Sequence, residues 1–402
     1  MTAISLSRPF VDDVAAASNV TVTVARTLDQ VEALRAAWTS LPITDIDSDI
    51  DYFMTVVRHA TQVVSPYVVH IRRDDGADLM AVARLENLPV PFRFGYHVFG
   101  SATLRAIVVT FGGVLGAKSP NDEALVLKCL MSALDSGEAS LLLMRNVDAR
   151  STLHAATVAA VGWARRTHAQ PSSPRWISSI PDSLERFLET RSAKTRQTLR
   201  RQDRQLAAKY GDRLRLHLWD RPEDISDICR NIENVAAKTY QRGLGVGFTG
   251  DPMQVALIEM GLKQGWHRTW MLFLDERPIA FWNGFAYAGT FAIGTPGFDP
   301  EYTGDSVGRF TMMRMVEDLC ADPEITQLDF GHGDAEYKSA FGRQAMIETD
   351  ELLAARRPWP MLVVFAVSAL SFANGQARRF VENSKWGRRL KAAWRQRLAK
   401  AD

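Results

Sequence analysis

The sequence predicts an α/β chain of two successive units, each a mixed sheet flanked by helices, followed by a basic helical tail. Three observations carry this expectation. Residues 269–354 follow the order β-β-β-α-β-α-β, and a looser version of that order fills residues 20–165. The 402 residues exceed one average domain, and with 46% of them hydrophobic they can bury two cores.

Residues 1–19 read as a flexible N-terminus. VTVTVA (20–25) alternates as a strand does, and LDQVEALRAAWTSL (28–41) has helical spacing with Leu34 and Trp38 one turn apart. SPYVVHIRR, the turn Asp74-Asp75-Gly76 and LMAVARLE predict a hairpin. A strand near IVVTFGGVLG, a helix from Asp122 to about Ala133, the strand SLLLMRNV and a helix from about Arg150 complete a first domain, 20–165.

HAQPSSPRWISSIPDS (168–183), rich in Pro and Ser, reads as a crossover into a second domain, 166–355. Asp182 or Ser183 can cap a helix through LERFLETR. A second helix starts at Ser192, stops at Gly211 and is basic over much of its surface. The strand RLRLHLW, the helix EDISDICRNIENVAAKTY and a helix with Asp251 as N-cap and Pro252 at N1 come next. The strands TWMLFLD, IAFWNGFAY and GTFAIGTPGF precede the loop DPEYTGDSVG, the helix RFTMMRMVEDLC and the buried strand ITQLDF. A short helix AEYKSAFG and the strand AMIETDELLA close the unit.

Balanced charge, 48 basic against 46 acidic residues, excludes a general nucleic-acid binder, so no specific nucleic-acid partner is expected. Cys129, Cys229 and Cys320 lie far apart without CxxC spacing, which predicts neither a disulfide framework nor a metal site. No basic and apolar leader precedes the first unit, and a cytoplasmic location is expected. In the tail, 356–402, the run MLVVFAVSALSFA is shorter than the roughly 20 apolar residues that span a bilayer. Arg378, Arg379, Lys385, Arg388, Arg389, Lys391, Arg395, Arg397 and Lys400 follow it, interleaved with Phe380, Trp386, Leu390 and Trp394. That pattern suits either an interfacial helix on an anionic membrane surface or a helix packed on the protein body.

The chemistry concentrates in two stretches. In LDFGHGDAEYKSAFG (328–342) two glycines, an imidazole, a carboxylate, a phenol and an amine gather at a strand end, where α/β folds place their chemistry. In TGDSVGR (303–309) Gly304 and Gly308 let backbone N–H groups approach an anion at a helix start. Ser306, beside Val307, can serve as N-cap or phosphate ligand, and Arg309 adds charge. Asp329, inside the strand, needs a cationic partner if buried, and Lys338 and Arg309 are the candidates in reach.

These stretches resemble the GNAT acyltransferase fold, and more closely its tandem members of the cellulose- or exopolysaccharide-biosynthesis type, relatives of the Fem peptidoglycan aminoacyltransferases. The resemblance rests on Asp329-Phe330-Gly331, Gly333-Asp334, Tyr337-Lys338, Phe298-Asp299-Pro300-Glu301-Tyr302, Ser306-Val307-Gly308 and the helix Ser192-Ala193-Lys194-Thr195-Arg196 continuing to Arg200-Arg201. It spans roughly residues 20–355. It departs after Tyr240, where QRGLGVGFTG stands in place of a tryptophan that often closes the helix.

The resemblance implies an acyl-CoA donor, acetyl-CoA or another acyl-CoA, bound by Gly304, Ser306, Val307, Gly308 and Arg309. It implies direct attack of an acceptor on the thioester without a metal. Tyr337 is then the acid that protonates the departing thiolate, or else an aromatic packing its helix on the sheet. Asp334 is a base, an orienting group or a turn cap, and Lys338 meets phosphate or acceptor, or is a surface lysine. Asp329 and His332 would then stand at the acceptor side, Asp329 as a base, an orienting group or a structural carboxylate, and His332 as a general base or a solvent-exposed imidazole. The helix bearing Lys194, Arg196, Arg200, Arg201 and Arg204 would draw an anionic acceptor, a sugar nucleotide or a lipid-linked sugar, with Trp282 and Asn283 lining the same cleft. A Fem-like aminoacyl-tRNA donor and a non-catalytic scaffold are the rival readings. The first unit has no counterpart of the Gly-Asp-x-x-Tyr-Lys motif.

Overall fold

The structure, a computed structural model, describes residues 20–73, 78–95, 97–239, 242, 247–333 and 335–383. In chain order its elements begin with β1 (Val20–Ala25), α1 (Leu28–Glu32), α2 (Arg35–Thr39), α3 (Ile50–His59), β2 (Val63–Arg73), β3 (Asp78–Phe94) and β4 (His97–Leu115). They continue through α4 (Pro120–Asp135), β5 (Leu141–Asp148), α5 (Thr152–Ala160), β6 (Ser173–Ser179), α6 (Leu184–Glu189), α7 (Ala193–Tyr210), β7 (Leu214–Trp219), α8 (Ile225–Ala236) and α9 (Pro252–Lys263). The remainder comprises β8 (His267–Leu274), β9 (Arg277–Tyr287), β10 (Thr290–Ile293), β11 (Gly297–Phe298), α10 (Val307–Ala321), β12 (Gln327–His332), α11 (Glu336–Phe341), β13 (Arg343–Ala354) and α12 (Pro358–Asn383).

Two compact units form, and they exchange chain. The first holds the residues up to Ala33, Gln62–Ser172 and those from Thr349 on; the second holds Leu34–Thr61 and Ser173–Glu348. The expected boundary near 165 thus lies close to an observed crossing, but 34–61 and 349–355 each join the unit to which the sequence reading had not given them. The single helix expected over 28–41 is two, α1 and α2, and its break at Ala33-Leu34 coincides with the first crossing.

In the first unit the strands order as β1-β2-β3-β4-β5, antiparallel throughout except β4 with β5. Side chains alternate between two cores. Val69, Ile71, Ala81 and Ile107 meet Leu130 and Leu134 of α4 on one face. Leu88, Val90, Leu104 and Val108 meet Val363 and Val364 of α12 on the other. The β3–β4 hairpin runs on from Asn87↔Arg105 to Phe94↔His97, a stretch the sequence reading did not assign to strands. Pro89 and Pro91 hide it. They are tolerated because pairing of β3 with β2 ends at Val63↔Glu86, leaving an edge where no N–H is needed. The turn at 74–76 lies outside the described residues.

The second unit orders as β13-β6-β12-β10-β9-β8-β7, with the Arg343–Glu348 part of β13 paired to β6. Every pair is antiparallel except β10 with β12. Trp270 and Phe291 pack under Met312, Met315 and Val316 of α10, while Met271 and Phe281 pack under Ile228 and Ile232 of α8. The sequence reading is corrected at β6. The Pro/Ser-rich segment taken as a crossover contains an interior strand, held antiparallel between β12 and β13. Its local composition disfavours a strand, and only pairing on both sides makes it one.

Residues 34–61 are tied to this second unit through α3. Asp49 caps α3 by accepting from the backbone N–H groups of Asp51 (2.8 Å) and Tyr52 (3.2 Å), and its other oxygen accepts from the Tyr287 hydroxyl (3.0 Å). Tyr52 stands edge-on to Phe285, ring centroids 5.8 Å apart.

Candidate active site

Strands β10 and β12 run side by side for only three residue pairs, Thr290↔Gln327, Phe291↔Leu328 and Ala292↔Asp329. Beyond these β10 stays with β9 at Ile293↔Gly284. β12 instead continues along β6, pairing Gly331↔Trp176 and His332↔Arg175 after a bulge. The sheet therefore opens at the very residues of the 328–342 stretch. Gly331 and Gly333 hold φ of +72° and +92°, which a side chain would strain.

A buried charge cluster braces one wall of the opening. Arg175 donates from Nε to Asp329 Oδ2 (2.9 Å), with Nη2 on the same oxygen, and from Nη1 to Glu348 Oε1 (3.0 Å). The Asp329 and Glu348 side chains are 7% and 1% exposed. Asp329 also accepts from the Gly331 N–H (2.7 Å), so the same carboxylate sets the bulge. Its partner is Arg175, not Lys338 or Arg309 as the sequence suggested. Burial disfavours the Arg175 charge, but the two carboxylates outweigh it and hold the pKa above the usual arginine value.

Two further groups feel this cluster. Asp45, from the 34–61 segment, is pushed up by burial; its hydroxyl neighbour Thr44 and the Arg175 charge oppose the shift, while Asp329 and Glu348 add to it. Lys338 is pulled below the usual lysine range by burial, against the pull of Asp329, and its amine donates to the His332 carbonyl (2.6 Å). The sign follows. A lysine with a lowered folded pKa holds fewer protons when folded than unfolded, so its contribution to stability rises with pH up to the ordinary value of 10.5. Lys338→Met is expected to gain on wild type most near neutral pH, the difference shrinking between that lowered pKa and 10.5. Urea unfolding across this range tests it, and a pH-independent difference would refute it.

The opposite wall is aromatic. Tyr337 lies edge-on to Trp282 with centroids 5.6 Å apart, and to Phe330 at 6.1 Å. Trp282 donates from Nε1 to the Gly308 carbonyl (2.8 Å), joining β9 to the first turn of α10. Asn283 is buried and accepts from the Thr295 N–H (2.8 Å), which shapes the chain just past β10.

The 299–309 loop is anchored at its base. Asp299 receives Lys238 (2.7 Å) and Arg277 (2.8 Å) and caps a short 3-10 turn over Pro300–Asp305. Ser306 then takes a left-handed conformation, φ 59° and ψ 29°, an unusual setting for a residue with a side chain. Its Oγ accepts from Gln202 Nε2 (2.8 Å), while Gln202 Oε1 accepts from Arg309 Nη1 (3.3 Å). A hollow of about 380 Å³ lies here, lined by Arg201, Gln202, Gln205, Lys209, Gly304 and Ser306 among others. Asp305 pairs with Lys209 and accepts from the Tyr210 hydroxyl (2.7 Å), so Arg201 is the lining cation left to meet an anion.

The structure thus brings Trp282, Tyr337 and Gly308 together, and Asp329 with Lys338 and the His332 carbonyl. The His332 ring is exposed. Lys194 and Arg200 are exposed on α7, and Arg196 is turned to the end of α6, donating to the carbonyls of Arg191 (2.7 Å) and Glu189 (3.3 Å). Asp334 and Tyr240 lie outside the described residues. Sequence reasoning missed Arg175, Glu348 and Asp45, which come from remote segments. It also missed Gln202, although Arg201, Gln205 and Lys209 recur at helical spacing on one face of α7. Among the described residues no group of three or more His, Cys, Asp or Glu is placed to hold a metal.

The family described as acetyltransferase (GNAT) domain matches residues 193–339, which include α7, the 299–309 loop and the opening between β10 and β12. FemX is similar in structure at 12% identity, covering 83% of this chain and 98% of its own, with a TM-score of 0.57. A conserved protein of unknown function from Bacteroides thetaiotaomicron is 13% identical over 84% of this chain and 100% of its own, with a TM-score of 0.51. A tandem GNAT protein from the clavulanic acid biosynthesis pathway is 11% identical, covering 84% and 99%, with a TM-score of 0.46. No curated protein matches the sequence. Residues 193–339 thus match a GNAT acetyltransferase domain, in an α/β chain whose fold is similar to that of FemX.

Proposed function

We propose that the second unit transfers an acyl group from an acyl-CoA, with acetyl-CoA the simplest, to a hydroxyl or amine of an anionic sugar acceptor used in building cell-envelope or exopolysaccharide. The observation that carries this reading is the early parting of β10 and β12 beside the 299–309 loop. The parting offers unpaired strand edge to an extended donor arm, and the start of α10 with Arg201 suits its phosphates. The acceptor atom attacks the thioester carbonyl carbon to form the new C–O or C–N bond, the C–S bond breaks, the Tyr337 hydroxyl gives its proton to the departing sulfur, and the proton released by the acceptor restores the phenol through solvent. Trp282 positions that phenol. The exposed Lys194 and Arg200 supply attraction for an anionic acceptor.

Gly304 provides the test. A Cβ built there meets nothing within 4 Å, so Gly304→Phe introduces bulk at a residue that lines the hollow with no clash at its Cβ. Calorimetric titration with acetyl-CoA and a longer acyl-CoA should give binding to wild type and at least a tenfold weaker affinity for the variant. No binding by folded wild type would favour an aminoacyl-tRNA donor or a scaffold. Equal binding by both proteins would move the donor away from this loop.

A further inference from the structure

Helix α12 has two unlike faces. Val363 and Val364 are 1% exposed and pack with Leu88, Val90, Leu104 and Leu143 of the first unit. On the other side Leu362, Phe365 and Phe372 are 55%, 57% and 59% exposed, with Trp359 at 57% and Trp163 at 65% nearby. Isolated apolar residues at a surface are ordinary; a run of five large ones beside one helix is not. Pro358, Met361, Leu362, Phe365, Ala369 and Phe372 recur at helical spacing along a groove of about 800 Å³. At a rise of 1.5 Å per residue the stripe is roughly 21 Å long.

The groove is cationic at its start. Arg166, Arg356 and Arg357 line it, and no acidic residue does. Arg356 and Arg357 precede the positive end of the α12 dipole, where Arg356 pairs with Asp135 (3.5 Å) and Arg357 donates to the Ala139 carbonyl (2.5 Å), partners that a bound anion would supplement. The Arg166 Nε is shut off from water and has no hydrogen-bond partner among the described residues. After the helix the sequence is basic again, with Arg388, Arg389, Lys391, Arg395 and Arg397.

We propose that the first unit seats on an anionic phospholipid bilayer through this face of α12. The arginines meet headgroup phosphates, while Leu362, Phe365 and Phe372 and the groove take lipid hydrocarbon. Pro358–Ala377 is long and apolar enough to cross a bilayer, but Val363 and Val364 are committed to the strands beneath them, so the helix lies along the surface. The proposal is independent of the acyl-transfer reading.

The test is co-sedimentation of the full chain with vesicles of phosphatidylcholine and phosphatidylglycerol, against phosphatidylcholine alone. Wild type should bind the mixed vesicles at least tenfold more tightly than the neutral ones, with the advantage falling as salt rises. Leu362→Glu combined with Phe365→Glu should lower binding at least tenfold at unchanged melting temperature, because both side chains are already exposed. Phe372→Glu repeats the test if the pair fails to fold. Undiminished binding by these variants would assign any membrane affinity to the basic C-terminal residues and overturn the proposal. Absence of wild-type binding would overturn it too, as would self-association removed by the same substitutions without vesicle binding, which would give the face to a second copy of the chain.

Discussion

Replacing Arg175 by alanine should lower the unfolding free energy by about 3–5 kcal/mol, the cost of leaving buried charge uncompensated. Asp329 and Glu348 depend on the same guanidinium, and neither side chain is more than 7% exposed. The effect is larger than a surface ion pair allows because water cannot replace the lost partner. Arg175→Lys should recover only part of it, since one amine cannot reproduce a fork that reaches Asp329 with two nitrogens and Glu348 with a third. Urea unfolding decides the matter: a loss under 1 kcal/mol in Arg175→Ala would show that the cluster relaxes or hydrates. The Asp329-dependent bulge would loosen in the same variant, so donor binding should weaken along with stability.

Tyr337→Phe is expected to behave in the opposite way. The ring contacts with Trp282 and Phe330 survive, so the fold and the donor affinity should stay close to wild type. If the phenol is the proton donor, the turnover number should fall by about 10²–10⁴. Measuring kcat and donor Kd on the same preparations separates the roles. Turnover kept within threefold would leave the phenol as packing and require another acid for the thiolate. A parallel loss of kcat and melting temperature would mean that the hydroxyl is structural.

What could be read from the sequence depended on where the folding information sits. The strands β8, β9, β10 and β12 are legible because alternation and turn residues are local, and the family match falls over the same region, but the single strand expected over GTFAIGTPGF is two, β10 and β11. β6 is not legible, because Pro174 and its serines carry no strand signal; its register comes from β12 and β13, 148–175 residues downstream. The β3–β4 extension hid behind Pro89 and Pro91 for a related reason, since only a knowledge of which edge is unpaired makes proline acceptable there. At the candidate site, Tyr337 and Gly308 stand in short motifs, and Trp282 stands on a strand legible from its local pattern. Arg175, Glu348 and Asp45 were not, because a buried ion cluster is assembled by tertiary neighbours and leaves no spacing to read.

The exchange of chain between units has a consequence for how the protein is made. Neither unit is a contiguous stretch of sequence, since the backbone passes from one to the other after Ala33, Thr61, Ser172 and Glu348. A ribosome that has released only residues 1–172 has produced neither unit whole: the first still lacks the chain from Thr349 onward, and α3 has none of its later partners. The familiar N-to-C order of domain maturation is therefore unavailable to this polypeptide. Truncations at the apparent boundary should yield aggregation-prone fragments, whereas two such halves synthesised together have the means to complement one another.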